Sequence, residues 1–129
     1  MEKIAVATTG GDAPGMNCAI RAVVRTSLYY GMKIFGIRRG FRGLYEDDIF
    51  EMNSRDVSGI INEGGTILKS MRFAEFTDKK IREVAFQNLK KRGIEGLIVI
   101  GGDGSAKGTY SLFSDFDFPV ILILSLIHI

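Results

Sequence analysis

Cysteine and histidine are nearly missing from these 129 residues: Cys18 is the single cysteine and His128 the single histidine. One cysteine excludes an internal disulfide and a cysteine-based metal cluster, and it suits a reducing, cytoplasmic setting. Its expected place is that of a small buried apolar residue. His128 stands between two isoleucines with no polar neighbour, so neither a metal-ligand nor a base role is expected of it. An excess of either charge is also missing. Seventeen Lys and Arg against 15 Asp and Glu leave a net +2. The basic residues are scattered, and without a basic stripe no nucleic-acid partner is expected. The N-terminal apolar stretch ends by Gly10, too short for a secretory signal, and no membrane role is expected. What remains, 46% hydrophobic and 25% charged, is the composition of an ordinary globular chain of single-domain length.

The chemistry gathers where short apolar runs break into glycine. Leu97-Ile98-Val99-Ile100 carries no charge and reads as a strand buried on both faces, as a parallel sheet requires. It runs straight into Gly101-Gly102-Asp103-Gly104-Ser105. The glycines let the backbone turn and approach a ligand without a Cβ in the way. Ser105 is the expected cap of a helix running to about Phe113. A helix N-terminus after a glycine turn offers free N–H groups to phosphate. An acid such as Asp103 among them makes sense with a divalent metal between the two charges. Ile4-Ala5-Val6-Ala7 repeats the device, leading into Thr8-Thr9-Gly10-Gly11-Asp12-Ala13-Pro14-Gly15. In an open parallel sheet such loops converge outside the carboxyl ends of the strands. The bland alternative is a pair of tight strand-to-helix turns with no ligand.

Between these motifs the pattern alternates. Ile20, Val23, Val24 and Leu28 recur at helical spacing from Met16 to Tyr30, with Gly31 as the stop. Arg21 and Arg25 lie one turn apart on that helix, a mutually repelling pair that fits either a solvated face or a bound anion. Spacing alone favours the solvated face. Lys33 to Ile37 reads as a strand, Arg38 to Asp48 as a glycine-punctuated loop, Ile49 to Met52 as a short strand and Ser54 to Ile61 as a short helix. Gly64-Gly65-Thr66 is a third glycine turn, followed by Arg72, whose guanidinium near phosphate loops can neutralise charge in phosphoryl transfer or simply face solvent. Asp78 to Arg92 is an amphipathic helix with Asp78 as N-cap, Ile81, Val84, Ala85 and Leu89 as its stripe, and Gly93 as its stop. Strands alternating with helices imply right-handed βαβ units and an α/β fold.

In order and spacing, Gly10-Gly11-Asp12-Ala13-Pro14-Gly15-Met16-Asn17, Gly64-Gly65-Thr66, Met71-Arg72-Phe73 and Gly101-Gly102-Asp103-Gly104-Ser105 resemble the bacterial 6-phosphofructokinase family, from Met1 to about Ile121. The resemblance implies a Rossmann-like three-layer αβα sandwich with a mostly parallel sheet. It implies ATP-dependent phosphorylation of fructose 6-phosphate, in glycolysis, by a cytoplasmic homotetramer. Gly11, Arg72, Phe73, Gly102, Gly104 and Ser105 would contact ATP, and Asp103 would hold Mg²⁺ at the same site. Gly104 favours ATP over pyrophosphate, because pyrophosphate-dependent relatives carry an acid there that would repel the α-phosphate. Arg21, Ala22, Val23, Val24 and Arg25, with Ser54, Arg55, Asp56, Val57, Ser58 and Gly59, match the two parts of a pocket for the effector ADP. Some relatives carry an arginine where this chain has Ser54, and here Arg55 is next to it.

After Phe118-Pro119-Val120-Ile121 the family continues through a Pro-Gly-Thr-Ile-Asp-Asn-Asp segment that holds the sugar phosphate and supplies the catalytic base. This chain reads Leu122-Ile123-Leu124-Ser125-Leu126-Ile127-His128-Ile129. Residues 1–121 are therefore expected to form an incomplete ATP-binding domain, with Arg72 as a supporting group and no catalytic base. Residues 122–129 are an apolar tail foreign to the family, resembling translated library adapter. Such a chain is expected to lack phosphotransferase activity on its own and to dissolve poorly. Two alternatives stay open: a non-catalytic ATP-binding module, and a pyrophosphate-dependent or other sugar kinase of the same superfamily.

Overall fold

Two apolar strands, β1 (Lys3–Thr8) and β4 (Gly96–Gly101), lie side by side and parallel at the centre of the sheet in the computed structural model. The structure describes residues 1–9, 15–71 and 73–124, with the side chains of 103–105 outside the description. From β1 the chain builds outward through α1 (Met16–Tyr29), β2 (Lys33–Ile37), α2 (Gly40–Glu46) and β3 (Ile49–Met52). It then passes three 3₁₀ turns (Ser54–Val57, Ile60–Asn62 and Ala74–Thr77) and α3 (Lys79–Lys91). Finally it returns to the middle for β4, α4 (Asp103–Phe116) and β5 (Val120–Leu124). The order is β3-β2-β1-β4-β5, parallel throughout except for the β2–β3 pair.

Strand alternation divides the core in two. Ile4, Val6, Ile34 and Ile100 face α1, where Met16, Ile20 and Val24 close over them. Ala5, Ala7, Phe35, Leu97 and Val99 face the opposite side and meet Phe41 and Leu44 of α2, Ala85 and Leu89 of α3, and Leu112 of α4. This is the expected αβα sandwich, and β4 is buried along nearly its whole length. Gly31 (φ +75) ends α1 as expected, with its N–H on the Leu28 carbonyl and that of Met32 on the Ser27 carbonyl. Asp78 caps α3 by accepting from the Lys80 N–H at 2.9 Å.

Several expectations are corrected. The stretch Arg38 to Asp48 contains a helix. Its glycines serve close packing: a Cβ at Gly40 would come 2.9 Å from the Thr8 carbonyl oxygen, and one at Gly43 would overlap the Arg38 carbonyl. Phe41 and Leu44, three apart, then reach the core together. Ser54 to Ile61 is two 3₁₀ turns broken at Gly59 (φ +74), the first capped reciprocally by Asn53 and Asp56. Cys18 is exposed, because Met16, Ile20 and Val24 claim the buried side of α1. Leu28 and Val84 are also on the surface, while polar Asn17, Ser27, Arg82 and Asn88 are buried. Each has a partner: Asn88 donates to the Leu44 and Tyr45 carbonyls at the end of α2, and Ser27 to the Val23 carbonyl. α4 begins at Asp103 with Gly102 as N-cap and runs to Phe116, so Ser105 sits inside the first turn and is not the cap.

Candidate phosphate site at the carboxyl edge of the sheet

The chain winds outward in one direction from β1 and in the other from β4, so the sheet reverses between these two strands. A crevice at their carboxyl ends is where open α/β sheets take ligands. Both glycine motifs start there. Thr8 is in register with Ile100, and the Thr9 N–H donates to the Ile100 carbonyl at 2.9 Å, keeping the exit from β1 against β4. Gly10 to Pro14, with the expected ATP contact Gly11, lie outside the described residues. Gly15 (φ +90) brings the chain into α1. On the other strand, Gly102 alone connects β4 to α4, and Asp103, Gly104 and Ser105 form the first turn of that helix. The free N–H groups of this 14-residue helix start at the crevice.

Gly102 shows what the turn is for. Its backbone (φ −99, ψ −164) is open to any residue, and an added Cβ would meet nothing within 4 Å among the described residues. Gly36, by contrast, is forced by Met52 Sδ at 2.7 Å, and Gly108 by the Phe41 ring at 2.8 Å. Among the described residues, neither conformation nor packing asks for glycine at 102, and the turn has room for close approach of another group.

A second element spans the crevice. Leu68 belongs to the core under α1, whereas Phe73 packs against the core on the other face, so the chain between them crosses the carboxyl edge of the sheet. Three buried polar side chains anchor this crossing. Thr8 Oγ1 donates to the Lys69 carbonyl at 2.9 Å and lies 3.0 Å from Thr66 Oγ1, which accepts the Leu68 N–H at 3.2 Å. With its own proton on Lys69, Thr8 takes the Thr66 proton. Asn17 donates to the Glu63 carbonyl (3.1 Å) and accepts the Ile67 N–H (2.8 Å). Lys69 itself is left-handed (φ +62), a conformation that costs a non-glycine residue about 1 kcal/mol. Arg72 lies outside the described residues. Phe73 is half-buried, 5.7 Å from the Tyr45 ring and 6.4 Å from that of Phe76, which stacks on Phe41 at 4.3 Å. Since Gly108 touches both Phe41 and Phe76, these rings flank the early turns of α4. Of these residues, Thr8, Asn17 and Thr66 could have been found as polar groups interrupting apolar patterns.

The two arms expected to bind an effector also meet. Val24 of α1 and Val57 of the first 3₁₀ turn are both fully buried in one core, which brings Arg21–Arg25 beside Ser54–Gly59. Arg21 is half-buried, and Ala22, Arg25, Ser54, Arg55, Asp56, Ser58 and Gly59 are exposed, with Val23 partly covered. None of the guanidiniums of Arg21, Arg25 and Arg55 has an ion pair among the described residues. The Asp56 carboxylate is taken up by the Asn53 N–H at 2.7 Å.

These features define a doubly wound α/β domain whose switch point lies between β1 and β4. Comparison with known proteins makes the class specific. Residues 3–128 match the phosphofructokinase family model, so the chain belongs to the phosphofructokinase family. The ATP-dependent 6-phosphofructokinase of Caldanaerobacter subterraneus is 52% identical over 123 residues, covering 95% of this chain and 38% of that protein. That of Vibrio cholerae is 54% identical over 121 residues, again 38% of its length. The chain thus spans a little over a third of the curated relatives it matches. Among solved structures, Pichia pastoris phosphofructokinase in the T-state superposes with TM-score 0.92 at 34% identity, over 97% of this chain and 15% of that one. The pyrophosphate-dependent enzyme of Marinobacter aquaeolei shares the fold, with TM-score 0.78 at 17% identity over 95% of this chain and 32% of that one.

Proposed function

We propose that this chain is the ATP-binding part of an ATP-dependent 6-phosphofructokinase, a glycolytic phosphotransferase of the cytoplasm that passes the γ-phosphoryl group of ATP to fructose 6-phosphate. Gly102 carries the reading, as a glycine at the mouth of α4 that neither its backbone nor the described residues around it require. The nucleotide phosphates would take the free N–H groups around Gly102, Gly104 and Ser105 and the loop of Gly11. Phe73 and its neighbouring rings would offer apolar surface to the base. Arg72, on the crossing segment, would neutralise phosphate charge. Gly104 leaves room for an α-phosphate and favours ATP over pyrophosphate as donor.

Asp103 would hold Mg²⁺. One carboxylate beside a phosphate turn fits this ion, which keeps most of its shell as water and substrate oxygens. No cluster of three or more acidic, histidine or cysteine side chains gathers among the described residues, and no helix there is long and apolar enough to cross a membrane. The catalytic base and the sugar site would be supplied by the remaining length that the relatives possess. Arg21 and Arg25 of α1 and Arg55 of the 3₁₀ turn, which have no ion pair among the described residues, would bind ADP as effector at a contact within a homotetramer. In the complete enzyme Arg25→Ala is expected to abolish ADP activation with the unactivated rate kept, and persistence of full activation refutes the assignment.

The test of the nucleotide site is Gly102→Ala in the 129-residue chain, read by thermal melting and by ATP titration with Mg²⁺ present. The added methyl group has open space and an ordinary backbone, so Tm is expected to stay within about 2 °C. ATP binding is expected to weaken at least 100-fold, since on this reading the methyl would take space that a phosphate oxygen needs. An alanine variant that binds ATP like the parent sinks the reading.

A further inference from the structure

Among the described residues of the crossing segment, Lys69 alone has a backbone held against its own preference. Its carbonyl is fixed by Thr8 Oγ1 and its N–H donates to the Thr66 carbonyl at 3.2 Å, so the left-handed turn is locked from both sides. The side chain is exposed, and its ammonium has no ion pair among the described residues. Arg39, whose N–H bonds the neighbouring Leu68 carbonyl, is in contrast committed to Asp48 at 2.9 Å and Glu46 at 3.1 Å. The adjacent strand end, Thr8, is in register with Ile100, two residues before Gly102. An exposed lysine with no ion pair among the described residues therefore stands beside the carboxyl end of β1, at a position where glycine would relieve the backbone.

We propose that Lys69 is a phosphate-binding residue of this chain, its ammonium contacting the polyphosphate of a nucleotide seated at the Gly102 turn. The inference rests on the nucleotide reading above and adds to it a residue kept for charge in spite of its conformation. Phosphate at the crevice can come from a nucleotide or from a phosphorylated acceptor, and the ligands tested separate the two.

The experiment uses the 129-residue chain with Lys69 replaced by Gly, Gln and Arg, titrated calorimetrically with ATP, ADP, adenosine and fructose 6-phosphate at two salt concentrations, alongside thermal melts. Lys69→Gly is expected to melt no lower than the parent and still to bind ATP about tenfold more weakly. Lys69→Gln is expected to lose ATP affinity equally, Lys69→Arg to restore most of it, and adenosine to bind all four proteins alike. The salt dependence of ATP binding is expected to be shallower in the Gly and Gln variants. If ATP binds the parent and the Gly and Gln variants equally, Lys69 has no role and only this inference falls. If the loss appears with fructose 6-phosphate and not with ATP, the assignment to the nucleotide is wrong. If the parent binds no phosphate ligand, the nucleotide reading fails and takes this inference with it.

Discussion

Replacing Thr8 by valine removes one hydroxyl from the centre of the site and leaves shape almost unchanged, because both side chains branch at Cβ. Thr8 is fully buried, and its Oγ1 joins Thr66 Oγ1 (3.0 Å) and the Lys69 carbonyl (2.9 Å), residues 58 and 61 positions along the chain. Each bond lost is worth about 1 kcal/mol net, and the Lys69 carbonyl, left without its donor in a part-buried place, adds about as much again. Thr66 keeps the Leu68 N–H, which limits the damage there. The sum is about 2–3 kcal/mol, or about 8–12 °C in Tm for a domain of this size. Hydrogen exchange locates the loss. The amides of Ile67 and Leu68, and that of Arg39, which bonds the Leu68 carbonyl, are expected to exchange faster, while those of β1 and β4 change only with global stability. Thr66→Val made in both backgrounds is expected to give a coupling of about 1 kcal/mol, since either substitution breaks the shared bond. A Thr8→Val protein that melts within about 2 °C of the parent, with unchanged exchange at 66–69, would refute the claim that this hydroxyl pins the crossing segment.

Two further perturbations concern the framework. Arg82 is nearly buried between α3 and α4, with Nε and a terminal nitrogen both 2.7 Å from Asp115 Oδ2 and its other terminal nitrogen donating to the Phe76 carbonyl at 2.9 Å. Asp115→Ala is expected to cost about 2–3 kcal/mol by stranding that cation, whereas Arg82→Met with Asp115→Leu is expected to stay within about 1 kcal/mol of the parent, and equal losses in a melting series would argue against the stranded charge. Asp47 is held below its ordinary value of 3.8, with partial burial pushing it up and the hydrogen bonds from Arg92 (2.9 Å) and Lys91 (2.7 Å) outweighing that. Because the folded value is the lower one, the contribution is whole above pH 3.8 and is lost as pH falls through the folded value. Solvent screening keeps it under about 1 kcal/mol. Asp47→Asn, which suits the left-handed backbone there (φ +63), is expected to lower Tm slightly at neutral pH and to merge with the parent once pH has fallen through the folded value. A difference that persists at low pH contradicts the ion-pair account.

Much of the architecture was legible where burial leaves a plain pattern. β1 and β4 are continuous apolar runs buried on both faces, α1 and α3 carry an apolar stripe, and the two glycine motifs mark strand ends directly. What the sequence hid were residues whose role depends on a partner far along the chain. Asn88 looks like a break in the stripe of α3 until α2 sets two carbonyls 2.8 and 3.0 Å away, and Arg82 looks like a surface arginine until α4 brings Asp115. α2 was invisible because Gly40 and Gly43 read as turn residues, although close approach to Thr8 and Arg38 is what excludes larger side chains there. Thr8, Asn17 and Thr66 belong to the same group: polar residues at the edge of apolar runs, whose pairing exists only after the sheet has placed the ends of β1 and the 63–69 loop together.

The site and its supports respond to substitution in opposite ways, and that separates them. Gly102 and Lys69 are poor choices for stability among the described residues, the first a glycine that neither backbone nor described neighbours require and the second a lysine in a glycine conformation. Changing either toward the local optimum, Gly102→Ala or Lys69→Gly, is expected to preserve or improve folding while weakening the hold on phosphate. Thr8 and Asp115 are satisfied, enclosed and paired, so changing them lowers stability first and alters binding only through the geometry they hold. On the proposed nucleotide reading, such locally suboptimal residues near the ends of β1 and β4 are expected, because the group that completes their environment would arrive with the ligand.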